Sequence, residues 1–134
     1  MSSDGGPNPF GSWNGVEAFE LHEGVSLHAI GGDQVLLCRV TYAPGKQAPP
    51  HTHEHTEQVM AIIAGEVELT VEGKTSSLCT GDVACVNRGL EHALYSENGV
   101  TFFEALAPVP LDHVPDGERD LVLGSEQGRH HVER

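Results

Sequence analysis

The sequence predicts an all-β fold built as one domain, either a sandwich or a barrel. Short apolar or alternating runs follow one another closely, and turn residues, many of them glycine, separate these runs. Upstream of Pro108 the chain has no apolar stripe at helical spacing. Its 134 residues are enough to bury one core without disulfide bonds.

The first half of the barrel is predicted from runs that end at turn residues. Breaks containing glycine separate the first three strands, which are expected at 16–21, 25–30 and 34–43. The fourth strand, 58–64, is apolar from Val59 to Ala64, as expected of a strand covered on both faces.

The second half begins after Gly65. In the fifth predicted strand, 66–71, apolar residues alternate with Glu and Thr, so one face is apolar. A Glu72-Gly73 hairpin turn follows, because Gly tolerates the positive φ that such turns need. The last four strands are expected at 75–79, 82–86, 93–96 and 100–106.

Three segments are expected along the chain. The N-terminal arm, 1–14, is rich in Gly, Pro, Ser and Asn, and only Phe10 and Trp13 can dock it. The barrel occupies 15–110, and a partly disordered C-terminal extension occupies 111–134.

Composition argues against several classes of partner. Seven Lys and Arg against 20 Asp and Glu give a formal net charge of −13, which repels nucleic-acid phosphates and anionic membranes. No apolar run approaches the ~20 residues of a spanning helix, and residues 1–9 lack the features of a secretory signal. We therefore expect a cytoplasmic protein. Its cysteines form no CxxC pair and are expected to be reduced packing residues: Cys38, Cys79 and Cys85.

Histidines carry most of the functional information. His51 and His53 stand at i and i+2, so on an extended strand both side chains point to one face. Glu57 and Gln58 follow, and His92 comes much later. Because imidazole is a frequent ligand of divalent transition metals, this pattern indicates one such ion held inside a sheet or barrel. Nitrogen and oxygen donors suit Zn, Ni, Mn, Fe or Co, and the sequence does not choose among them.

The spacing of glycines and histidines forms two motifs. The first reads Gly45, five residues, His51-Thr52-His53, four residues, Gln58, six residues and Gly65. The second reads Gly81, five residues, Asn87-Arg88-Gly89, two residues and His92. In these motifs the chain resembles the cupin superfamily over about residues 34–107. Asn87 stands at a turn position where the second motif usually has proline.

This resemblance implies a cupin double-stranded β-helix, a jelly-roll-like barrel, with four metal ligands. His51 and His53 are expected on one strand, Gln58 at the start of the neighbouring strand and His92 on a strand across the barrel. Such a site forms only when the fold is complete, which couples metal binding to stability.

Glu57 and Gln58 compete for the fourth ligand position. The resemblance allows three or four residues after His53, which admits both, but the six residues before Gly65 select Gln58. A neutral amide leaves the ion its full charge, so the ion polarises a bound carbonyl or water more strongly. Glu57 then faces away or supports a ligand from outside. His55 is an alternative ligand, an entrance group or, as we expect, an exposed turn residue.

Arg39 and Glu104 are the candidate catalytic residues. If Leu37, Arg39 and Thr41 face the barrel, the Arg39 guanidinium can bind a substrate carboxylate; in the opposite register it faces solvent. Glu104 shares a strand face with Phe102 and is either a general base near the metal or an exposed carboxylate. Histidines outside the motifs are expected at the surface: His22, His28 and His113.

The Glu-Gln pair narrows the resemblance to two groups of small cupins. One group contains polyketide cyclases, and the other linearises unsaturated uronates. In the uronate group an acidic residue of the late strand is followed by an aromatic residue and, after prolines, by an arginine. Glu104 matches the acidic residue here, but Leu106 stands in place of the aromatic residue and Pro110 in place of the arginine.

We therefore predict a metal-dependent enzyme that performs proton transfer, cyclisation or ring opening on a small carbonyl compound. One alternative is an Fe(II) dioxygenase that uses the three histidines; another is a non-catalytic barrel that binds a small ligand or a structural metal. Because cupin domains commonly pair, a homodimer is also expected, with the arm at Phe10 and Trp13 covering a neighbour's edge strand.

Overall fold

The computed structural model describes residues 10–16, 18–32 and 34–109. Expectations for residues 1–9 and 111–134 lie outside this range. The described chain contains a short 3₁₀ helix, Trp13–Gly15, and strands throughout the remainder. These strands are β1 Phe19–His22, β2 Val25–Gly31, β3 Leu36–Tyr42, β4 Lys46–His51, β5 Glu57–Val71, β6 Lys74–Cys79, β7 Val83–Val86, β8 His92–Ser96 and β9 Val100–Ala107. The predicted all-β class is confirmed.

The strands roll into a barrel of two facing sheets. Their order is β1-β2-β3-β9-β5-β8-β4, and β6 and β7 also pair with β5. Every pair is antiparallel. The first half of β5 pairs with β7 and β9, and its second half pairs with β6 and β8. One strand therefore belongs to both sheets, as in the predicted double-stranded β-helix.

The two strands predicted on either side of Gly65 are one strand, β5, so the predicted break is wrong. The strand runs for 15 residues, with an irregularity in its pairing to β9 between Ile62 and Ala64. Gly65 itself has φ +82°, and a Cβ there would overlap the carbonyl oxygen of Gly99. The glycine thus marks the bend where β5 passes from one sheet to the other, because only glycine allows both this φ and this approach.

Strand β4 was missed as a separate element because it contains Pro49 and Pro50. Proline cannot donate to a ladder, so it is tolerated only where a strand's N–H groups need no partner, typically at an edge. Strand β4 lies at the end of the sheet order and pairs with β8. The register shifts between Ala48 and His51, at the two prolines.

The core lies between the two sheets. Side chains of β3 alternate, with Leu36, Cys38, Val40 and Tyr42 buried and the residues between them more exposed. Phe102 is 1% exposed and Met60 also 1%, so the strands β9 and β5 fill the centre. Burying side chains of this size contributes ~1.5–3 kcal/mol each.

Only one of the three cysteines is the buried packing residue that was predicted. No disulfide joins them: Cys38 is buried in the core, but Cys79 and Cys85 are exposed and do not act as packing residues. A hydrogen bond to the Asp82 carboxylate, and its charge, raise the pKa of the Cys79 thiol.

Trp13 docks the arm on the outer face of the sheet that contains β2, β3 and β9 of the same chain. Its ring stacks on Phe103 with centroids 6.1 Å apart, lies edge-on to His28, and has the Arg39 guanidinium 5.4 Å from its centroid. This part of the arm therefore covers its own chain. Within the described residues, no helix has the length and apolar character needed to cross a membrane.

We predict that Gly65→Ala destabilises the fold much more than Gly73→Ala. Both glycines have positive φ, which costs a non-glycine residue about 1–2 kcal/mol, but a Cβ at Gly73 meets nothing within 4 Å. The overlap at Gly65 adds about 1–3 kcal/mol. Urea denaturation of both variants measures the difference, and equal losses would contradict the account of Gly65.

Candidate metal centre

Three histidine side chains meet in the barrel. Ring nitrogens of His51, His53 and His92 lie within 4.8 Å of one another. The ring centroids of His51 and His92 are 4.2 Å apart, and that of His53 lies 5.2 and 5.3 Å from them. His53 and His92 are buried and His51 is half-buried. The three histidines predicted as ligands thus lie together; that they bind a metal stays a prediction.

Backbone carbonyl groups fix two of these rings. His51 Nδ1 lies 2.7 Å from the Pro49 oxygen, and His92 Nδ1 lies 3.0 Å from the Leu90 oxygen. Because a carbonyl oxygen only accepts, each Nδ1 carries the proton and donates it. The lone pair of a neutral imidazole is then at Nε2, the tautomer that a metal ligand needs.

The backbone places the histidines differently from the prediction. His51 ends β4 and His92 begins β8, and these two residues pair directly in register. His53 lies beyond the end of β4, where its carbonyl accepts a 2.8 Å hydrogen bond from Gly89 N–H. His92 is therefore on an adjacent strand and not across the barrel, and His53 is in a loop and not on the strand of His51.

Gln58, at the start of β5, and Glu104, in the second half of β9, form a buried pair. Gln58 Nε2 donates a 2.9 Å hydrogen bond to Glu104 Oε1. The side chains are 3% and 4% exposed, so the carboxylate depends on such donors to offset its lost hydration. An ionised carboxylate only accepts, which turns the amide nitrogen of Gln58 toward Glu104 and leaves Gln58 Oε1 available elsewhere.

The donor set fits a divalent transition metal. Nitrogens that share one ion at ~2.1 Å lie ~3–4 Å apart, and those of the three imidazoles lie within 4.8 Å of one another. Among the described residues Gln58 Oε1 is a buried acceptor with no hydrogen bond, a state that costs about 1–3 kcal/mol. The three histidines can therefore form a metal site, and Gln58 remains the predicted fourth ligand.

A cavity of about 310 Å³ opens beside these groups. Its polar lining consists of His22, Tyr42, His51, Gln58 and Glu104. Burial, together with the charge of Glu104, raises the pKa of Tyr42. The Tyr42 hydroxyl therefore keeps its proton at neutral pH and can donate it in a hydrogen bond.

His22, predicted at the surface, lines the cavity together with its neighbour Leu21. Consecutive residues of a regular strand point to opposite faces. The pairing of β1 with β2 is irregular between Glu20 and His22, and such a bulge can turn two consecutive side chains to one side. No sequence signal other than the histidine itself pointed to this position.

Of the two registers possible for Arg39, the structure shows the one that turns its side chain out of the barrel. The inward face of β3 is the opposite one, and the Arg39 guanidinium lies over Trp13 outside the barrel. A single step in register moves every side chain of a strand to the other face. Arg39 therefore does not line the cavity, and the catalytic role predicted for it has no geometric support.

The other candidates near the first motif point outward. Glu57 is exposed on β5, where its carboxylate lies 3.8 Å from the Cys85 sulfur. Alternation along β5 thus turns Gln58 inward and Glu57 outward. His55 is exposed in the loop that follows β4, as expected.

Comparison with known sequences finds a family and two kinds of relative. Residues 38–102 match the family described as Cupin domain. The pectin degradation protein KdgF of Dickeya dadantii (strain 3937) is 28% identical over 95 residues, which cover 69% of this chain and 86% of that protein. Germin-like protein 1-1 of Oryza sativa subsp. japonica is 33% identical over 90 residues, which cover 63% of this chain and 39% of that protein. The chain thus matches only about two fifths of the length of the germin-like relative.

Solved structures show the same fold. An RmlC-like cupin from Shewanella frigidimarina NCIMB 400 superposes with a TM-score of 0.74 at 19% identity, covering 81% of this chain and 98% of that one. KdgF from Halomonas sp. superposes with a TM-score of 0.70 at 19% identity, covering 78% and 100%. These matches confirm the double-stranded β-helix.

We predict that His51→Ala abolishes tight metal binding, whereas His55→Ala does not. Loss of a group that only supports a ligand costs 10–100-fold in metal affinity, so loss of a ligand should cost at least about 100-fold. Elemental analysis and the shift of Tm on adding zinc measure this, because binding to the folded state alone raises stability. If zinc raises the Tm of His51→Ala and of the unaltered chain equally, the assignment of the site is wrong.

Proposed function

This chain belongs to the cupin superfamily, and from that premise we propose that it is a metal-dependent enzyme of proton transfer on small carbonyl compounds. The reaction class includes the cyclisation or ring opening that follows when a proton is moved next to a carbonyl group. The observation that carries the proposal is the buried Glu104 carboxylate, which lines the same cavity as His51 and Gln58.

The three histidines would hold a divalent metal, which would supply Lewis-acid polarisation of a substrate carbonyl and make the adjacent C–H bond more acidic. Glu104 is the base that accepts this proton. Its Oε1 is held at 2.9 Å by Gln58 Nε2, so the carboxylate keeps one position within the cavity. A base fixed in reach of the proton contributes ~10²–10⁴-fold to the rate.

Gln58 connects the base Glu104 with the predicted metal position. Its amide nitrogen holds Glu104, while its Oε1 is the predicted fourth donor toward the metal. Tyr42 adds a protonated hydroxyl to the same cavity, where it can donate to an oxygen that gains negative charge. Gln58, Glu104 and Tyr42 all line this cavity.

The relatives support a small-molecule enzyme without fixing its substrate. One curated relative is a pectin degradation protein, and the match covers most of its length. Uronate-linearising cupins, however, carry an aromatic residue and an arginine where this chain has Leu106 and Pro110. Leu106 is fully buried in the core.

We predict that Glu104→Gln slows proton exchange by about 100-fold without loss of metal, because the amide cannot accept the proton. The assay follows deuterium incorporation next to the carbonyl of para-isopropylacetophenone by NMR, with the zinc-loaded full chain in deuterium oxide. The matched control is Glu57→Gln, which alters an exposed carboxylate on the same sheet and should exchange at the unaltered rate.

Two results would contradict this function. One is exchange by the unaltered chain no faster than in buffer containing zinc; the other is equal exchange by both glutamine variants. Oxygen consumption by the iron-loaded chain with the same ketone would instead favour the dioxygenase.

We also propose that two copies pair through the outer face of the sheet formed by β3, β9, β5 and β7. Apolar side chains are exposed there: Leu37 38%, Val59 47%, Ile63 46% and Val83 71%. A contiguous apolar face of this kind is typical of a protein–protein interface. Among the outward residues of these four strands, Glu57 is the acidic one. Two copies that pair through this face therefore bring few of their negative charges close together. A second copy is thus the partner that the charge favours.

We predict that light scattering gives a mass near twice the 14.3 kDa of one chain, and that Val83→Asp lowers it to one chain, because the interface would then bury two carboxylates. Ser77→Asp, on the exposed strand β6 of the other sheet, should leave the pair intact. A monomeric mass for the unaltered chain would rule this pairing out.

A further inference from the structure

The cavity beside the three histidines has apolar walls. Six apolar residues line it: Leu21, Val40, Ala48, Pro49, Leu94 and Phe102. They come from strands of both sheets, so apolar surface meets a ligand from more than one side. The volume of about 310 Å³ is at the low end of the ~300–1,000 Å³ of small-molecule sites.

No cationic side chain lines this cavity among the described residues. Arg39, the one predicted to bind a carboxylate, lies outside the barrel over Trp13. Glu104 is acidic, and the whole chain carries a formal charge of −13. A carboxylate on the part of a ligand remote from the metal would therefore lose its hydration and gain no counter-charge.

Few polar groups remain to recognise hydroxyl groups. Of the five polar lining residues, His51, Gln58 and Glu104 serve the metal centre and the proton transfer in the proposed function. Tyr42 donates to the reacting oxygen in the same proposal, so His22 is the polar lining residue to which that proposal gives no role. A compound with hydroxyl groups around its ring would bury several of them against apolar walls, and each unpaired hydroxyl lowers affinity.

We infer that the substrate class is an uncharged, largely apolar carbonyl compound, and not an anionic, hydroxyl-rich sugar acid. This inference rests on the proposed function, because it takes the carbonyl end of the ligand to lie at the metal centre. The apolar walls hold the remainder of the molecule, and His22 can contact at most one or two further polar atoms.

The test compares two ketones of nearly equal shape, para-isopropylacetophenone and para-acetylbenzoate, which differ at the end remote from the carbonyl. Calorimetric titration of the zinc-loaded full chain at neutral pH should give at least about tenfold tighter binding of the isopropyl compound. Binding in the cavity is read from methyl chemical shifts of Leu21 and Leu94. Equal or tighter binding of the carboxylate, or binding of neither compound there, would overturn the inference.

A positive charge placed beside the cavity should reverse the order in which the two ketones bind. Leu21→Arg puts a guanidinium on the edge strand β1 beside the cavity, where it can pair with the remote carboxylate. Para-acetylbenzoate should then bind more tightly than the isopropyl ketone. Ser77→Arg adds the same charge on exposed β6 and should keep the original preference. If Leu21→Arg does not fold, the comparison on the unaltered chain still decides.

Failure of the inference and failure of the proposed function give different results. The preference is a binding measurement on the unaltered chain and is read separately from proton exchange. A preference for the isopropyl ketone without any exchange by the unaltered chain would remove the enzymatic function and retain the ligand class. Proton exchange together with tighter binding of para-acetylbenzoate would retain the enzymatic function and remove the ligand class.

Discussion

Strand β5 determines the geometry of this barrel, because it pairs with four other strands and belongs to both sheets. Its first half lies between β7 and β9, and its second half between β6 and β8. Hydrogen bonds of antiparallel ladders fix the register, and the register fixes which side chains face the core. Gln58 opposes Leu106 on β9, so Glu104 is its diagonal neighbour on the same inner face. The Gln58–Glu104 pair follows from this register.

Polar groups inside the barrel are stable only because neighbouring groups satisfy them. The rings of His51 and His92 donate to carbonyl oxygens of their own short segments, and Gln58 donates to Glu104. Each of these bonds uses a donor and leaves an acceptor atom for another partner. For Gln58 that acceptor is Oε1, which makes no hydrogen bond among the described residues and is the predicted fourth donor to a metal.

The apolar and polar parts of the cavity have separate origins. Inward residues of regular strands, such as Val40 and Leu94, supply the walls by simple alternation. The histidines stand at irregular positions: His51 follows two prolines and a register shift, His53 lies in a loop, and His22 follows a bulge. Local departures from strand geometry thus aim these imidazoles, which is a common use of bulges near functional sites.

The sequence by itself determined the all-β class, most strand positions and the histidines that meet in the barrel. These conclusions follow from local properties: alternation, glycine breaks and the spacing of ligand-type residues. The alternation within β9 also gave the face shared by Glu104 and Phe102. Only the tertiary structure decided that Arg39 faces outward, that β4 and β8 are adjacent and that His22 reaches the cavity. Register, sheet order and bulges depend on pairing between distant segments, and no single segment of the sequence contains that information.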